Sequence, residues 1–450
     1  MRCSHKYFYG ATFALALVVA PHVSAADNGV ALLSAELTEA EATVSNAFID
    51  RSLESVLSHL NFSQVGCDSC CDDACCGGGV GCDGCFTGSC TGGAGGGGLD
   101  VGGWLATGFY DNSHGLSGPT ANSPLGFNNI GDEFQLHQAW LYMGKEADNG
   151  GSGIAFGFRA DFMFGTDGPN TSAFGDGSWD ASWATSGNGQ YAFAFPQLYA
   201  EVAVGNTSIK IGHFYTIIGY EVVQAPGNFF YSHAYTMVYN EPFTHTGILA
   251  TTPIGDNLTA YYGLTMGWDT GFDNRNDGST FLGGLGTQVT DNISATWAMT
   301  VGDPGDSFTT TSDVYMQSVV VDVALTDDVQ YIFHTDYQTR TPDANVAPST
   351  FKNYGINQYL ILALTDKLKA GMRYEWYRDG AAGVDPTGGL NHFHAISFGA
   401  NLFTGDNIVI KPEMRYDWVD RDDASGAGGP FAGGSKRSQF TWGAQGIMTF

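Results

Sequence analysis

The sequence predicts an all-β fold, a transmembrane antiparallel β-barrel of about 16 strands, preceded by a short helical and Cys/Gly-rich N-terminal extension. Three observations predict the barrel. Residues 101–450 alternate apolar and polar side chains in segments of about ten residues, the length that a membrane-spanning strand needs. Short turns rich in Asp, Asn and Gly separate these segments. The last segment alternates without a break as far as Phe450.

Residues 1–25 are predicted to be a signal peptide. Arg2 and Lys6 supply the positive start, residues 11–20 form an apolar stretch, and Val23-Ser24-Ala25 is a cleavage site of small residues. We therefore expect the chain to be exported and the mature form to begin at Ala26. The alternative for the apolar stretch is a buried core helix.

Residues 26–66 are predicted to form an amphipathic helix. Apolar residues recur there at steps of three and four, as Leu33, Leu37 and Val44 illustrate. Five acidic residues occupy the opposite face: Glu36, Glu39, Glu41, Asp50 and Glu54. A linker helix fits this pattern, and a short coiled coil or a helix that contacts the cell wall are the alternatives.

Residues 67–100 are predicted to be a Cys/Gly-rich linker. An exported chain meets an oxidising compartment, where an even number of cysteines favours disulfides. The two C-x-x-C pairs have a spacing near that of zinc ribbons, so metal binding is an alternative, as are cross-links between molecules. Sequence alone assigns no pairing among the disulfide candidates Cys67, Cys70, Cys71, Cys75, Cys76, Cys82, Cys85 and Cys90.

Residues 101–450 form the predicted barrel, and the alternation assigns a direction to their charged side chains. Because Arg or Lys on the lipid face costs about 2–4 kcal/mol at the bilayer midplane, the charged face of each segment should point into the lumen. Six bases and seven acids are expected there: Arg159, Asp161, Glu201, Lys210, Asp322, Asp336, Lys369, Arg373, Glu375, Lys411, Glu413, Arg415 and Asp417.

Seven tight turns set the strand number. Asp and Asn bond their own backbone and suit tight hairpins. Seven such turns at one end imply eight long loops at the other and sixteen strands. A secreted β-propeller, which also repeats at this spacing, is the alternative, but each repeat here has two long strands rather than four short ones. The turns are centred on Asn149, Asn206, Asp256, Asp291, Asp327, Asp366 and Asp406.

Composition and motifs exclude several classes of function. The chain has 18 Lys and Arg residues against 46 Asp and Glu, a net charge of −28, which argues against binding to nucleic acid. The sequence contains neither a G-x-S-x-G nor an H-E-x-x-H motif. We therefore predict no enzyme activity, no cofactor and no metal site.

Three stretches resemble the OmpL-like β-barrel porin family. The clearest is 209–247, IKIGHFYTIIGYEVVQAPGNFFYSHAYTMVYNEPFTHTG, and 134–145 (FQLHQAWLYMGK) and 196–201 (PQLYAE) also fit. The resemblance covers roughly residues 102–450. It implies a location in the bacterial outer membrane, with the N-terminal extension in the periplasm, and a porin activity with an unspecified solute. The cysteine segment departs from a minimal porin.

The resemblance also implies roles for two further regions. In sixteen-stranded porins the third long loop often folds inward, so residues 219–241 are expected to narrow the lumen; an outward cap is the alternative. Its candidate constriction residues are Glu221, His233, Tyr235 and Glu241. A final Phe on such a strand resembles the assembly signal of bacterial outer-membrane barrels, which makes Phe450 a candidate contact for the barrel assembly machinery.

These expectations combine into one predicted function. The chain should form a water-filled diffusion channel for small hydrophilic solutes or ions. The lumen residues nearly balance in charge, so most of the net charge lies in loops and turns, which predicts a mild preference for cations. A structural or adhesive envelope protein, anchored by the barrel and cross-linked by its cysteines, is the alternative. Expected partners are outer-membrane lipid, the barrel assembly machinery, the solutes and, as one option, further copies of the chain.

Overall fold

The structure is a computed structural model that describes residues 98–173, 179–180, 189–273, 277–305, 311–342, 350–380, 384, 391–421 and 428–450. The predicted signal peptide, the predicted helix 26–66 and all eight disulfide candidates lie outside the described residues.

Sixteen strands of 8 to 16 residues make up the fold. In chain order they are β1 Asp100–Asn112, β2 Glu133–Lys145, β3 Ile154–Gly165, β4 Ala192–Val204, β5 Thr207–Tyr215, β6 Thr244–Ile254, β7 Leu258–Thr265, β8 Ser279–Thr290, β9 Ile293–Asp303, β10 Thr311–Thr326, β11 Val329–Pro342, β12 Phe351–Thr365, β13 Leu368–Asp379, β14 Asn391–Phe403, β15 Ile408–Arg421 and β16 Ser438–Thr449. Among the described residues, two short helices, α1 Gly168–Thr171 and α2 Tyr235–Asn240, and a 3₁₀ turn, Ala225–Gly227, lie in the loops.

The strands form one closed antiparallel barrel. Each pairs with its neighbours in the chain, and β1 pairs with β16 in a register that sets Trp104 opposite Thr449. Gly103 and Phe450 exchange two backbone hydrogen bonds of 2.9 Å at this seam. Closure pairs the backbone groups that an open edge would leave exposed to lipid. The predicted sixteen-stranded antiparallel barrel is confirmed.

All seven predicted turns connect two strands at the same end of the barrel. Their side chains bond the local backbone; Asp148 Oδ1, for example, accepts a 2.8 Å hydrogen bond from Gly150 N. Gly205 and Gly405 adopt φ values of 59° and 78°, in the left-handed region where a side chain is strained. The eight longer connections lie at the other end, and the third of them holds α2.

The two faces of the strands differ as the alternation predicts. On β15, Met414 and Tyr416 are 54% and 42% exposed, whereas Arg415 and Asp417 between and beside them are fully buried. The exposed apolar side chains form the outer surface that faces lipid, and the polar side chains point inward. No helix in the described part of the chain has the length and apolar character that crossing a bilayer requires.

Candidate functional site

The third long loop, residues 219–241, lies inside the barrel. Its side chains and backbone contact the inner faces of strands on several sides, from β2 to β15. Gln138 on β2 donates to the carbonyl of Val223 at 2.7 Å and accepts from Ala225 N at 3.0 Å. Gln338 on β11 donates to the carbonyl of Asn240 at 2.8 Å. These contacts place the loop within the lumen rather than above it.

Glycines on the inner face of the barrel make room for the loop. A Cβ added at Gly399 on β14 would lie 3.2 Å from the ring of Phe230, and one at Gly371 on β13 would overlap Phe229. Gly355 on β12 has the same relation to Thr236 of α2. A larger side chain at any of these positions would occupy space that the loop now fills.

Two carboxylates on neighbouring parts of the wall hold the loop backbone. Glu375 on β13 accepts hydrogen bonds from the backbone N–H groups of Tyr235 and Thr236, at 2.8 and 2.7 Å, at the start of α2. Glu413 on β15 accepts from the N–H groups of Tyr231 and Ser232, at 2.7 and 2.8 Å. Carboxylates satisfy N–H donors that the loop itself leaves unpaired, and such charge-assisted bonds are stronger than neutral ones.

Two arginines of the same wall bind loop carbonyls. Arg373 Nη1 donates to the carbonyl of Ser232 at 2.7 Å and to Glu221 Oε1 at 2.6 Å. Arg415 Nη1 donates to the carbonyl of His233 at 2.6 Å. Both side chains are almost completely buried. An ionised group in such a place persists only where partners satisfy it. Loop carbonyls accept from one nitrogen of each guanidinium group, whereas Arg373 Nε and Arg415 Nη2 have no hydrogen-bond partner among the described residues.

A lysine and a further carboxylate complete this interface. Lys411 Nζ donates to the carbonyls of Ala225, at 2.7 Å, and Asn228. Asp417 Oδ1 accepts from the hydroxyl of Tyr235 at 2.8 Å and from Arg415 Nε at 2.8 Å. We call the inner faces of β13 and β15 the charged wall, defined by Arg373, Glu375, Lys411, Glu413, Arg415 and Asp417.

Glu221 is the loop's own charge in this interface. Its Oε2 accepts from Ala234 N at 2.8 Å, and its Oε1 accepts from the hydroxyl of Tyr359 at 3.0 Å. Burial alone would raise its pKa, but Arg373 and His233 favour the charged form and hold the pKa below its ordinary value. Glu221 therefore stays ionised inside the lumen.

The opposite part of the lumen has a different chemistry. Strands β6–β9, as the structure describes them, contain no Lys, Arg or Glu, and their one Asp is Asp303 at the end of β9. Leu249, Tyr261, Leu282 and Ala298 of their inner faces pack in one buried cluster. We call the inner faces of β6–β9 the uncharged wall.

The thirteen charged residues predicted to face the lumen lie on the inner faces of their strands, but the structure separates them into two groups. Eight are at most 3% exposed, because the loop or neighbouring side chains cover them: Asp161, Asp336, Arg373, Glu375, Lys411, Glu413, Arg415 and Asp417. Five stay partly exposed: Arg159, Glu201, Lys210, Asp322 and Lys369. The charges open to water are therefore three bases and two acids.

The structure also places the four predicted constriction residues. His233 Nδ1 lies 3.5 Å from Glu221 Oε2, and Tyr235 begins α2 on the charged wall. Glu241 lies apart from them, 3.5 Å from His334 Nε2 of β11. Sequence reasoning missed Ser232, Gln138 and the wall glycines, because their roles depend on which loop atom lies opposite each of them. The one available signal for these residues was that the alternation on β2 points Gln138 into the lumen.

A cavity of about 390 Å³ opens at the tight-turn end of the barrel, beside β1–β4. Its lining includes two bases, Lys145 and Arg159, and four acids, Asp100, Glu146, Asp148 and Glu201.

Comparison with known proteins decides the family. The family described as "Putative beta-barrel porin-2, OmpL-like" matches residues 98–450. The chain belongs to this porin family. Its family and its barrel place this porin in the bacterial outer membrane, as a diffusion channel. A search of curated proteins by sequence finds no match to the porin.

Solved structures show the same fold at low sequence identity. An anion-selective porin from Comamonas acidovorans is 14% identical, with a TM-score of 0.55, and covers 79% of this porin and 100% of that chain. OmpF of Salmonella typhi, in complex with daunomycin, is 13% identical with a TM-score of 0.53, covering 78% and 97%. OmpT of Vibrio cholerae is 12% identical with a TM-score of 0.50, covering 79% and 98%. At these identities the likeness shows the fold alone.

Proposed function

We propose that this porin is a passive channel for small hydrophilic solutes or ions, with a mild preference for cations. One observation carries the proposal: the third long loop lies inside a closed barrel and is held on one wall of its lumen. Hydrogen bonds to Glu375, Glu413, Arg373 and Arg415 fix the loop there. A loop held in this way narrows the lumen in a fixed position, so the narrowing needs no conformational change.

The proposed path runs past the inner side chains that stay partly exposed. Lys210 on β5, Asp322 on β10 and Lys369 on β13 carry the charges on this part of the lumen surface. Thr296 of the uncharged wall is also partly exposed. Mixed signs and uncharged side chains favour weak contacts, and a solute that binds weakly leaves as readily as it enters.

Ion preference should come from the mouths rather than from the wall. The cavity at the tight-turn end has twice as many acids as bases in its lining, and the whole chain carries −28. Charge at a mouth enriches counter-ions only within a Debye length, about 8 Å at physiological salt. The anion selectivity of the Comamonas acidovorans porin is a property of that protein, and a shared fold does not imply a shared selectivity.

Conductance in planar bilayers tests the channel, and reversal potentials test its preference. We expect defined conductance steps, and under a KCl gradient a potential of the cation-preferring sign that shrinks as salt rises. Anion preference at low salt would overturn the cation proposal. An inserted, heat-modifiable barrel without conductance would overturn the channel and favour the envelope-protein alternative.

Three proposals concern the rest of the chain and its partners. Residues 26–66 form a periplasmic helix after removal of residues 1–25, and the cysteines of residues 67–100 form disulfides. Phe450 contacts the barrel assembly machinery, supported by its place at the β1–β16 seam. Stoichiometric zinc or eight free thiols in protein purified from the envelope would contradict the disulfides, and normal outer-membrane levels after deletion of Phe450 would contradict the assembly contact.

A further inference from the structure

The C-terminal end of the third loop meets β11 at a group of side chains that the loop-anchoring network does not use. Glu241 follows α2, and His334 and Asp336 are inward residues of β11. One ligand atom from each of the three lies within 4.8 Å of the others. His334 Nε2 lies 2.8 Å from Asp336 Oδ1 and 3.5 Å from Glu241 Oε1. All three residues are more than nine-tenths buried.

The charges of this group are not balanced by its surroundings. Neither Glu241 nor Asp336 forms an ion pair with an Arg or Lys in the part of the chain that the structure describes. Asp336 Oδ2 accepts a 3.3 Å hydrogen bond from Asn240, whereas Oε1 of Glu241 is buried without any hydrogen-bond partner and faces the imidazole of His334. A buried carboxylate oxygen without a donor is costly, and a cation or a proton must satisfy it.

We propose that Glu241, His334 and Asp336 bind a divalent transition-metal ion of the Zn²⁺ type. One imidazole nitrogen and two carboxylate oxygens are a ligand set that suits Zn²⁺, whereas Ca²⁺ and Mg²⁺ prefer oxygen ligands alone. Zinc bonds of about 2.0–2.2 Å in a tetrahedral arrangement separate neighbouring ligands by about 3.3–3.6 Å. The distance from His334 Nε2 to Glu241, 3.5 Å, lies in this range, and the distance to Asp336, 2.8 Å, is shorter and would lengthen on metal binding.

The second ring nitrogen of His334 also has a suitable neighbour. Nδ1 lies 3.3 Å from the side-chain amide of Asn357 on β12, and the carbonyl oxygen of that amide is buried without a partner. Turning the amide over would set its oxygen against an Nδ1–H donor. A metal-binding histidine commonly donates its other N–H to such an acceptor, which leaves the Nε2 lone pair for the ion in place of the Ser318 hydroxyl, now 3.1 Å away. Asn357 is therefore a positioning residue.

Metal binding would add a link between the loop and β11, beside the hydrogen bond that Gln338 donates to the carbonyl of Asn240. The charged wall holds residues 225–236, and the metal would link Glu241, which follows the C-terminal end of α2, to β11. The alternative is a proton shared between the carboxyl groups of Glu241 and Asp336, which needs no ion. The two differ in what happens when Zn²⁺ is added to the protein.

The test uses the full-length chain in detergent, after chelation and after alkylation of its thiols, since the cysteine segment could also bind zinc. Titration with Zn²⁺, followed by calorimetry, counts bound ions in the wild type and in Glu241→Gln, His334→Gln and Asp336→Asn. Asp322→Asn, which removes another inward carboxylate on β10, is the matched control. Neither thiol state nor channel activity enters this readout, so it stands or fails apart from the proposed channel function.

We expect the wild type and Asp322→Asn to bind one more Zn²⁺ equivalent than each of the three variants. Asn357→Ala should keep the site but weaken it by about 10–100-fold. X-ray absorption should show a nitrogen and oxygen shell without sulfur. The same stoichiometry in the wild type and in Glu241→Gln would overturn the proposal and favour the shared proton. If the two strand variants fail to fold, Glu241→Gln still decides, because residue 241 lies outside the strands.

Discussion

The charged wall and the uncharged wall are built from the same kind of strand and differ in what they do with the third loop. Both alternate outward apolar and inward side chains. On β15, four successive inward positions carry Lys411, Glu413, Arg415 and Asp417, and each of them bonds the loop. On β9, the inward positions carry Thr296, Ala298 and Thr300 instead. Inward charges therefore bind the loop on the charged wall. The uncharged wall has no such charges, and its apolar inward side chains pack in a separate cluster.

This difference changes the meaning of charge in the lumen. A charged side chain on the inner wall of a barrel is usually expected to meet solute, but five here bond loop backbone, and Asp417 bonds the hydroxyl of Tyr235 in the loop. Removing one partner of a buried charge network costs about 3–5 kcal/mol, far more than the loss of an exposed pair. The charged wall should thus act mainly on the position of the loop, and the partly exposed positions of the uncharged wall, such as Thr296, mainly on the solute.

The largest effect is expected from Glu413→Gln. The amide keeps one acceptor oxygen for the N–H groups of Tyr231 and Ser232, but it loses the negative charge and sets an NH2 donor where the other carboxylate oxygen now accepts from the Ser232 hydroxyl. We expect the middle of the loop to leave the wall, single-channel conductance to rise severalfold, and the barrel to unfold at a lower temperature. Gln288→Glu is the control. It makes the opposite exchange, an amide for a carboxylate, on the uncharged wall, and it should leave conductance near that of the wild type. Unchanged conductance in Glu413→Gln would mean that the loop does not limit flow.

A smaller effect is expected from Gly371→Leu. The new side chain would occupy the place of the Phe229 ring and displace one part of the loop while the hydrogen bonds to Glu375 and Glu413 remain. We expect a modest change in conductance with more open-channel noise. Gly446→Ala is the control, because the nearest atom to its Cβ would be 4.0 Å away. The same conductance and noise in both variants would show that the loop does not need the space that Gly371 leaves.

A charge placed on the uncharged wall should change selectivity rather than conductance. Thr296→Lys adds an ammonium at a partly exposed inward position of β9. If solute passes along this wall, the reversal potential under a KCl gradient should move toward anion preference, while Thr296→Met at the same site leaves it unchanged. An identical potential in both variants would place the path elsewhere in the lumen.

The smallest effect is on the pH dependence of stability, where two acids outside the strands should act in opposite directions. Burial raises and Arg373 lowers the pKa of Glu221, and the net pKa is below the ordinary value of 4.5. Its contribution is complete above pH 4.5 and is lost as the pH falls. Burial raises the pKa of Asp269 to about 6, although hydrogen bonds from Thr244 and Phe243 lower it. Its contribution is complete below pH 3.8 and is lost as the pH rises through 6.

Thermal unfolding of the barrel between pH 3 and pH 8 checks this prediction. Glu221→Gln should remove part of the loss of stability below pH 4.5, and Asp269→Asn should remove part of the change between pH 4 and pH 6. Each variant is the control for the other. A single pH profile common to the wild type and both variants would contradict the assignment of these windows.

The sequence predicted the barrel well because its signals are local. Alternation marks each strand, and an Asp or Asn next to Gly or Thr marks each tight turn, so strand number and inward parity follow from neighbours in the chain. The same parity predicted that Arg373 and Asp417 point inward. It could not predict that they are covered, because their partners, Glu221 and Tyr235, lie more than 150 positions away.

The N-terminal predictions stay predictions. Residues 1–25, 26–66 and the cysteines of residues 67–100 lie outside the described residues, so their export signal, helix and disulfides depend on sequence alone.

The sequence by itself determined the class of fold, the number of strands and the face on which each charge lies. The period of two and the turn chemistry act over a few residues. Because a charge facing lipid is costly, the charged side chains of each strand can point only into the lumen. Only the tertiary structure decided which inward charges hold the loop, where glycines admit it, and that Glu241, His334 and Asp336 meet. Those contacts join residues from distant strands, and the closing of the barrel, rather than any local pattern, brings them within a few ångströms of one another.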